Sequence, residues 1–156
     1  MLYGESADLD ESSITALAKD ALAGPRTRVD DWSARFPTHT GDVAEVLRRV
    51  VAGGFQGTTQ DKPGAFLSGI HHFSSKERQQ ADGRPHTKFT LSRMIGEILG
   101  KPTDHLEADP NPGAAGGAAR PKDCELDITA LAAALGPLPQ TPLKEGLAAV
   151  LTPLVG

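Results

Sequence analysis

Five histidines and a single cysteine have the widest chemical range in this sequence, and their spacing limits what they can do. His71 and His72 are adjacent; on a strand such neighbours point to opposite faces and cannot readily share an ion, so no metal site is expected. His39 stands near the start of a helix-patterned stretch with no serine or cysteine motif beside it, which predicts packing or a hydrogen bond rather than base catalysis. Cys124 lies between Asp123 and Glu125, an acidic setting that disfavours the thiolate. The carboxylate pairs Asp30-Asp31 and Glu107/Asp109 have the composition for acid–base work. Nothing in the sequence sets their environments apart, so they read as solvated turn charges. The sole tyrosine, Tyr3, is followed four residues on by Ala7, so no Tyr-x-x-x-Lys pair stands here to pass a proton to a carbonyl. The glycine clusters GGFQG and GAAGG neither follow a convincing strand nor open a helix, as a phosphate cradle requires, and both read as loop.

A sharper signal is the stretch RFPTHTGDVAEVLRRV, Arg35 to Val50. Pro37 fixes a turn, Thr38 and Thr40 are candidate N-caps, and Asp42 suits the positive end of a helix. Val43, Val46, Leu47 and Val50 then recur at i, i+3, i+4 and i+7, and Gly53-Gly54 are expected to end the helix. Arg35 and Phe36 are thereby placed at its entrance. Two readings of Arg35 stand: it faces a cleft and meets an anion, or it is an ordinary surface charge before a well-capped helix.

Other elements must hold that entrance in place. ESSITALAKDALAGP carries Ile14, Leu17, Ala18, Ala21 and Leu22 on one helical face, with Gly24 and Pro25 as stop signals. TKFTLSRMIGEILGKP repeats the pattern with Leu91, Met94, Ile95, Ile98 and Leu99, ending at Gly100 and Pro102. DITALAAALG has Asp127 as N-cap and Gly136 as terminator, and TPLKEGLAAVLTPL opens with Thr141 as N-cap and Pro142 at the first helical position. Short strands are expected in TRVDDW, at Ile70 to Phe73, in HLEAD and in the opening MLYGE. SSKERQQADGRPH and PNPGAAGGAARP read as loops. The inventory is five helices and three or four short strands, too few and too scattered for a self-contained doubly wound sheet.

The totals agree with that modest inventory. The 156 residues have the length of one domain, 38% of them are hydrophobic, and 17 glycines and 12 prolines interrupt the backbone. A formal charge of −4 with no basic stripe gives no electrostatic reason to approach nucleic acid. One cysteine excludes an internal disulfide framework and suits a reducing compartment, so a cytoplasmic location is expected. The first residues carry Glu5, Asp8, Asp10, Glu11 and Asp20 and no long apolar run, so neither a signal peptide nor a membrane association is expected.

Seven blocks carry a resemblance: LYGE, ESSITAL, DDWSARFPTHTGDVAEVLRRV, HHFSSKE, TKFTLSRMIGEILG, AARPKDCELDITAL and TPLKEGLAAVL. In this order and spacing they resemble the C-terminal half of the dTDP-4-dehydrorhamnose reductase-like (RmlD-like) extended short-chain dehydrogenases. Within them, the Trp32-x-x-Arg35-Phe36-Pro37-Thr38-His39 block and the Leu2-Tyr3-Gly4-Glu5 start are similar to the regulatory beta subunits of methionine adenosyltransferase. The resemblance implies an α/β fold, with residues 1-156 forming a single, partial substrate-binding domain whose Rossmann half, with the Gly-rich turn and the Tyr-x-x-x-Lys region, is expected before Leu2. It implies a non-catalytic role with the methionine adenosyltransferase catalytic subunit as partner, although the chain stops at Gly156 without the extended tail that beta subunits use. The alternative it leaves is the substrate half of an NADP(H)-dependent reductase. It implies that Arg35, Phe36, Thr38 and Arg120 border a substrate cleft, Arg120 being otherwise a solvated loop charge. It implies that Leu2 is a remnant contact for the nicotinamide end of NADP(H), a cofactor expected of the complete member and not of this chain alone.

Overall fold

A computed structural model describes residues 1–22, 24–56, 58–59, 62–63, 69–76, 84–111 and 121–155, with backbone alone over 53–56, 58–59 and 62–63. The chain enters on a two-residue strand, β1 (Leu2–Tyr3), which pairs in parallel with β3 (Thr38–His39), Leu2 opposite Thr38 and Tyr3 opposite His39. Period-two alternation sends Tyr3 into the core and leaves Leu2 half-exposed to solvent at 55%. Gly4 follows because the backbone there presses on the next element: a Cβ would stand 1.9 Å from Thr40 Oγ1.

The first helix is shorter than its apolar spacing predicts. Residues 13–16 form turns, with the Ser12 hydroxyl accepting the N–H of Thr15 at 3.0 Å, and regular helix α1 runs only over Leu17–Leu22. Its predicted face is nonetheless the buried one: Ile14, Leu17, Ala18 and Ala21 all lie in the core. Strand β2 (Thr27–Asp30) follows and pairs in parallel with β6 (Leu106–Asp109), bringing Val29 and Leu106 inside.

Helix α2 spans Thr40–Gln56, passing through Gly53 and Gly54 instead of stopping at them, so GGFQG is not wholly loop. A glycine in a helix costs only about 1 kcal/mol, which a long helix tolerates. Nor do threonines cap it. Thr38 is a strand residue and Thr40 is already helical, while the imidazole Nδ1 of His39 accepts the Gly41 N–H at 3.1 Å and fills the capping role. On the solvent side Glu45 accepts from Arg48 and Arg49, which together hold its carboxyl at about 2. Of the predicted face only Val46 is fully buried, and Leu47 is 59% exposed.

Strands β4 (Thr58–Thr59) and β5 (Lys62–Pro63) form a small antiparallel pair. The strand expected at Ile70 to Phe73 does not form. Ile70 is 89% exposed, and the following amides find side chains rather than a ladder: Ser75 N–H reaches Thr38 Oγ1 and Lys76 N–H reaches Gln140 Oε1. Once backbone groups are satisfied in that way, β-propensity in a short run decides nothing.

Helix α3 (Lys88–Leu99) behaves as its sequence predicts. Thr87 and Thr90 form a reciprocal capping box, and Gly100 (φ 64°) ends the helix in the left-handed region with its N–H on Glu97 O. Helix α4 (Thr129–Leu135) is preceded by Asp127, whose Oδ1 accepts the Thr129 N–H at 2.8 Å, and closes on Gly136. Helix α5 covers Leu143–Val155. Thr141 does not cap it: its hydroxyl and amide both donate to Asp42 at the start of α2.

Helices α1, α3 and α5 pack around Tyr3 to form the main core, with Leu17, Leu91, Ile95, Leu143, Leu147 and Leu151 enclosed. Gly146 permits that closeness, since a Cβ on it would meet the Tyr3 hydroxyl at 2.5 Å. The helix count and the opening, TRVD and LEAD strands follow the sequence. Among the described residues no helix is long and apolar enough to cross a membrane.

Candidate functional site

The entrance to α2 is held by bonds to the main chain from three directions. Arg35 N–H donates to His86 O at 2.8 Å in an isolated antiparallel bridge, Ala34 N–H donates to Lys122 O at 2.8 Å, and Thr38 N–H donates to Met1 O at 2.8 Å. The Met1 amino group in turn donates to Phe36 O at 3.2 Å, and burial followed by the Arg35 charge lowers its pKa. Segments far apart in sequence therefore converge on Arg35–Thr38. Pro37, with φ fixed and no N–H to satisfy, suits a turn that must stay buried.

Asp30 organises the turn between β2 and Arg35. Its Oδ1 accepts the N–H groups of Trp32 (2.8 Å) and Ser33 (3.0 Å), and its Oδ2 accepts Arg35 Nη2 at 2.9 Å. Burial works against its charge, but the Ser33 and Trp32 amides and the Arg35 guanidinium prevail and hold the carboxyl below its usual range. Asp31 turns the other way and accepts the Thr87 hydroxyl at 2.7 Å, joining this turn to the cap of α3. These aspartates are therefore not the solvated turn charges that their sequence context suggests; tertiary partners claim both.

Arg35 is partly enclosed, its side chain 23% exposed, and it forms an ion pair with Asp30. Its Nε is buried without an acceptor among the described residues. An unpaired donor on a buried cation is costly, and its persistence calls for a reason. Beside it the Lys122 ammonium stands 6.0 Å from the centre of the half-buried Trp32 ring, within cation–π range. This turn thus gathers Arg35 on Asp30, Asp31 on Thr87, and Lys122 over Trp32.

The residues expected at a cleft are placed as follows. Leu2, Arg35, Phe36 and Thr38 lie together, because the β1–β3 pairing sets Leu2 opposite Thr38. Leu2 and Arg35 present surface. Phe36 is buried, and Thr38 is buried with its hydroxyl used twice, donating to Phe36 O and accepting Ser75 N–H. Arg120 lies outside the described residues. Sequence reasoning missed Asp30, Trp32, His86 and Lys122 as members of this cluster. For Asp30 a signal existed: an aspartate two and three residues before amides is an Asx-turn former. His86 and Lys122 arrive through long-range bridges that no local pattern announces.

Comparison with known proteins agrees with this architecture. The sequence matches the RmlD substrate binding domain family over residues 1–155. Methionine adenosyltransferase 2 subunit beta from Danio rerio is 30% identical over 154 residues, covering 98% of this chain and 43% of that protein. The Mus musculus protein of the same name is 30% identical over 156 residues, covering 99% of this chain and 42% of its own. The chain thus spans well under half the length of these relatives. Among solved structures, dTDP-glucose 4,6-dehydratase from Bacillus anthracis in complex with NAD superposes with a TM-score of 0.63 at 14% identity, covering 97% of this chain and 41% of that one. RMD from Pseudomonas aeruginosa complexed with NADPH gives 0.62 at 18% identity, covering 97% and 44%. At such identities the likeness is one of fold. The chain belongs to the RmlD substrate binding domain family.

Proposed function

We propose that this member of the RmlD substrate binding domain family is a non-catalytic, regulatory module of the methionine adenosyltransferase beta type. It binds and modulates the methionine adenosyltransferase catalytic subunit in S-adenosylmethionine biosynthesis. The observation that carries the reading is the alignment of nearly all of this chain, at 30% identity, with 42–43% of the length of proteins named as subunit beta of methionine adenosyltransferase 2. On this reading residues 1-156 act as one substrate-binding domain in the cytosol, and the Arg35 cluster is a ligand cleft. Arg35 supplies a planar cationic edge suited to an oxyanion, Phe36 and Thr38 fix the backbone behind it, and Arg120 adds a second cation.

Fold relatives carry a nicotinamide cofactor, which supplies hydride chemistry when bound. The described residues fit its phosphates poorly, because the starts of α2 and α3 are occupied by His39 and Thr87. What this chain offers such a ligand is the exposed apolar side chain of Leu2. That supports a role in which this chain alone takes no cofactor.

The test is retention. Tagged protein mixed with purified methionine adenosyltransferase catalytic subunit is expected to coelute with it and to change its rate of S-adenosylmethionine formation; separate elution with an unchanged rate overturns the reading. A second reading, the substrate half of an NADP(H)-dependent dTDP-4-dehydrorhamnose reductase-like oxidoreductase, is favoured by the match to the RmlD substrate binding domain family and by the likeness in fold to dTDP-glucose 4,6-dehydratase and to RMD complexed with NADPH. Saturable NADPH binding in the micromolar range together with failed coelution would select it.

A further inference from the structure

We draw no further inference here: the strongest candidate, the apolar stripe that Leu47 and Val51 leave exposed along helix α2, is an unpartnered helix face, and nothing in the structure shows what covers it.

Discussion

The α1–α3–α5 core and the Asp30–Thr38 turn are held by different physics. In the core, Ile14, Leu91, Ile95, Leu147 and Leu151 are completely enclosed and interchange little beyond apolar contact. In the turn, positions are set by directional bonds: Asp30 to two amides and a guanidinium, Thr38 to Phe36 and Ser75, Arg35 to His86. Non-directional burial sets how stable the protein is, while the polar turn sets where a few atoms stand. The two meet at Thr87, which caps a core helix and donates to Asp31 of the turn.

Substitutions can break or sharpen that contrast. Leu147→Ala, in the middle of the core, should cost about 2–5 kcal/mol in urea unfolding, far more than any single change in the turn. Thr87→Val removes both the α3 cap and the link to Asp31, and should cost about 1–2 kcal/mol by the same measurement. Ser92 is a polar intruder in the core, completely buried with no partner for its hydroxyl among the described residues. Ser92→Ala should therefore raise stability by about 1 kcal/mol, and a loss would mean that the hydroxyl is satisfied.

The acid limb probes the turn more gently. The folded pKa of Asp30 lies below its reference value of 3.8, so its contribution is fully present above that pH and fades as the pH falls through the folded value. Arg35→Met removes part of that lowering, so a plot of stability against pH should be shallower on its acid side than in wild type. Smallest of all is Leu47→Lys on the open face of α2, expected within about 0.5 kcal/mol of wild type; a large loss would reveal a hidden contact.

How much of this was legible depended on how local the causes are. Helix α3 could be read to its C-terminal end because Gly100 acts within a few residues, whereas its Thr87–Thr90 capping box was not singled out. The pairing TRVD and LEAD segments were visible as β-prone runs between turn residues. The helix-entry motif was recognisable, but its cap was assigned to the wrong side chains, since an imidazole acceptor is an uncommon cap and threonines flank it. Ile70 to Phe73 has strand composition, yet neighbouring amides were claimed by Thr38 and Gln140 from elsewhere in the chain. Within the candidate site, Arg35 and its neighbours were legible from one motif. Asp30 as an anchor, and His86 and Lys122 as flanking walls, required chain crossings that a linear pattern does not encode.

Parallel pairing has a kinetic corollary. Thr27 lies opposite Leu106, Leu2 opposite Thr38, and α1 packs on α3, so each main layer joins stretches widely separated along the chain. Closing such long excursions costs entropy before any contact offsets it, and topologies of this kind reach the native state slowly and cooperatively. In refolding from urea the opening strand should therefore become protected from hydrogen exchange only when the segment after Pro37 does.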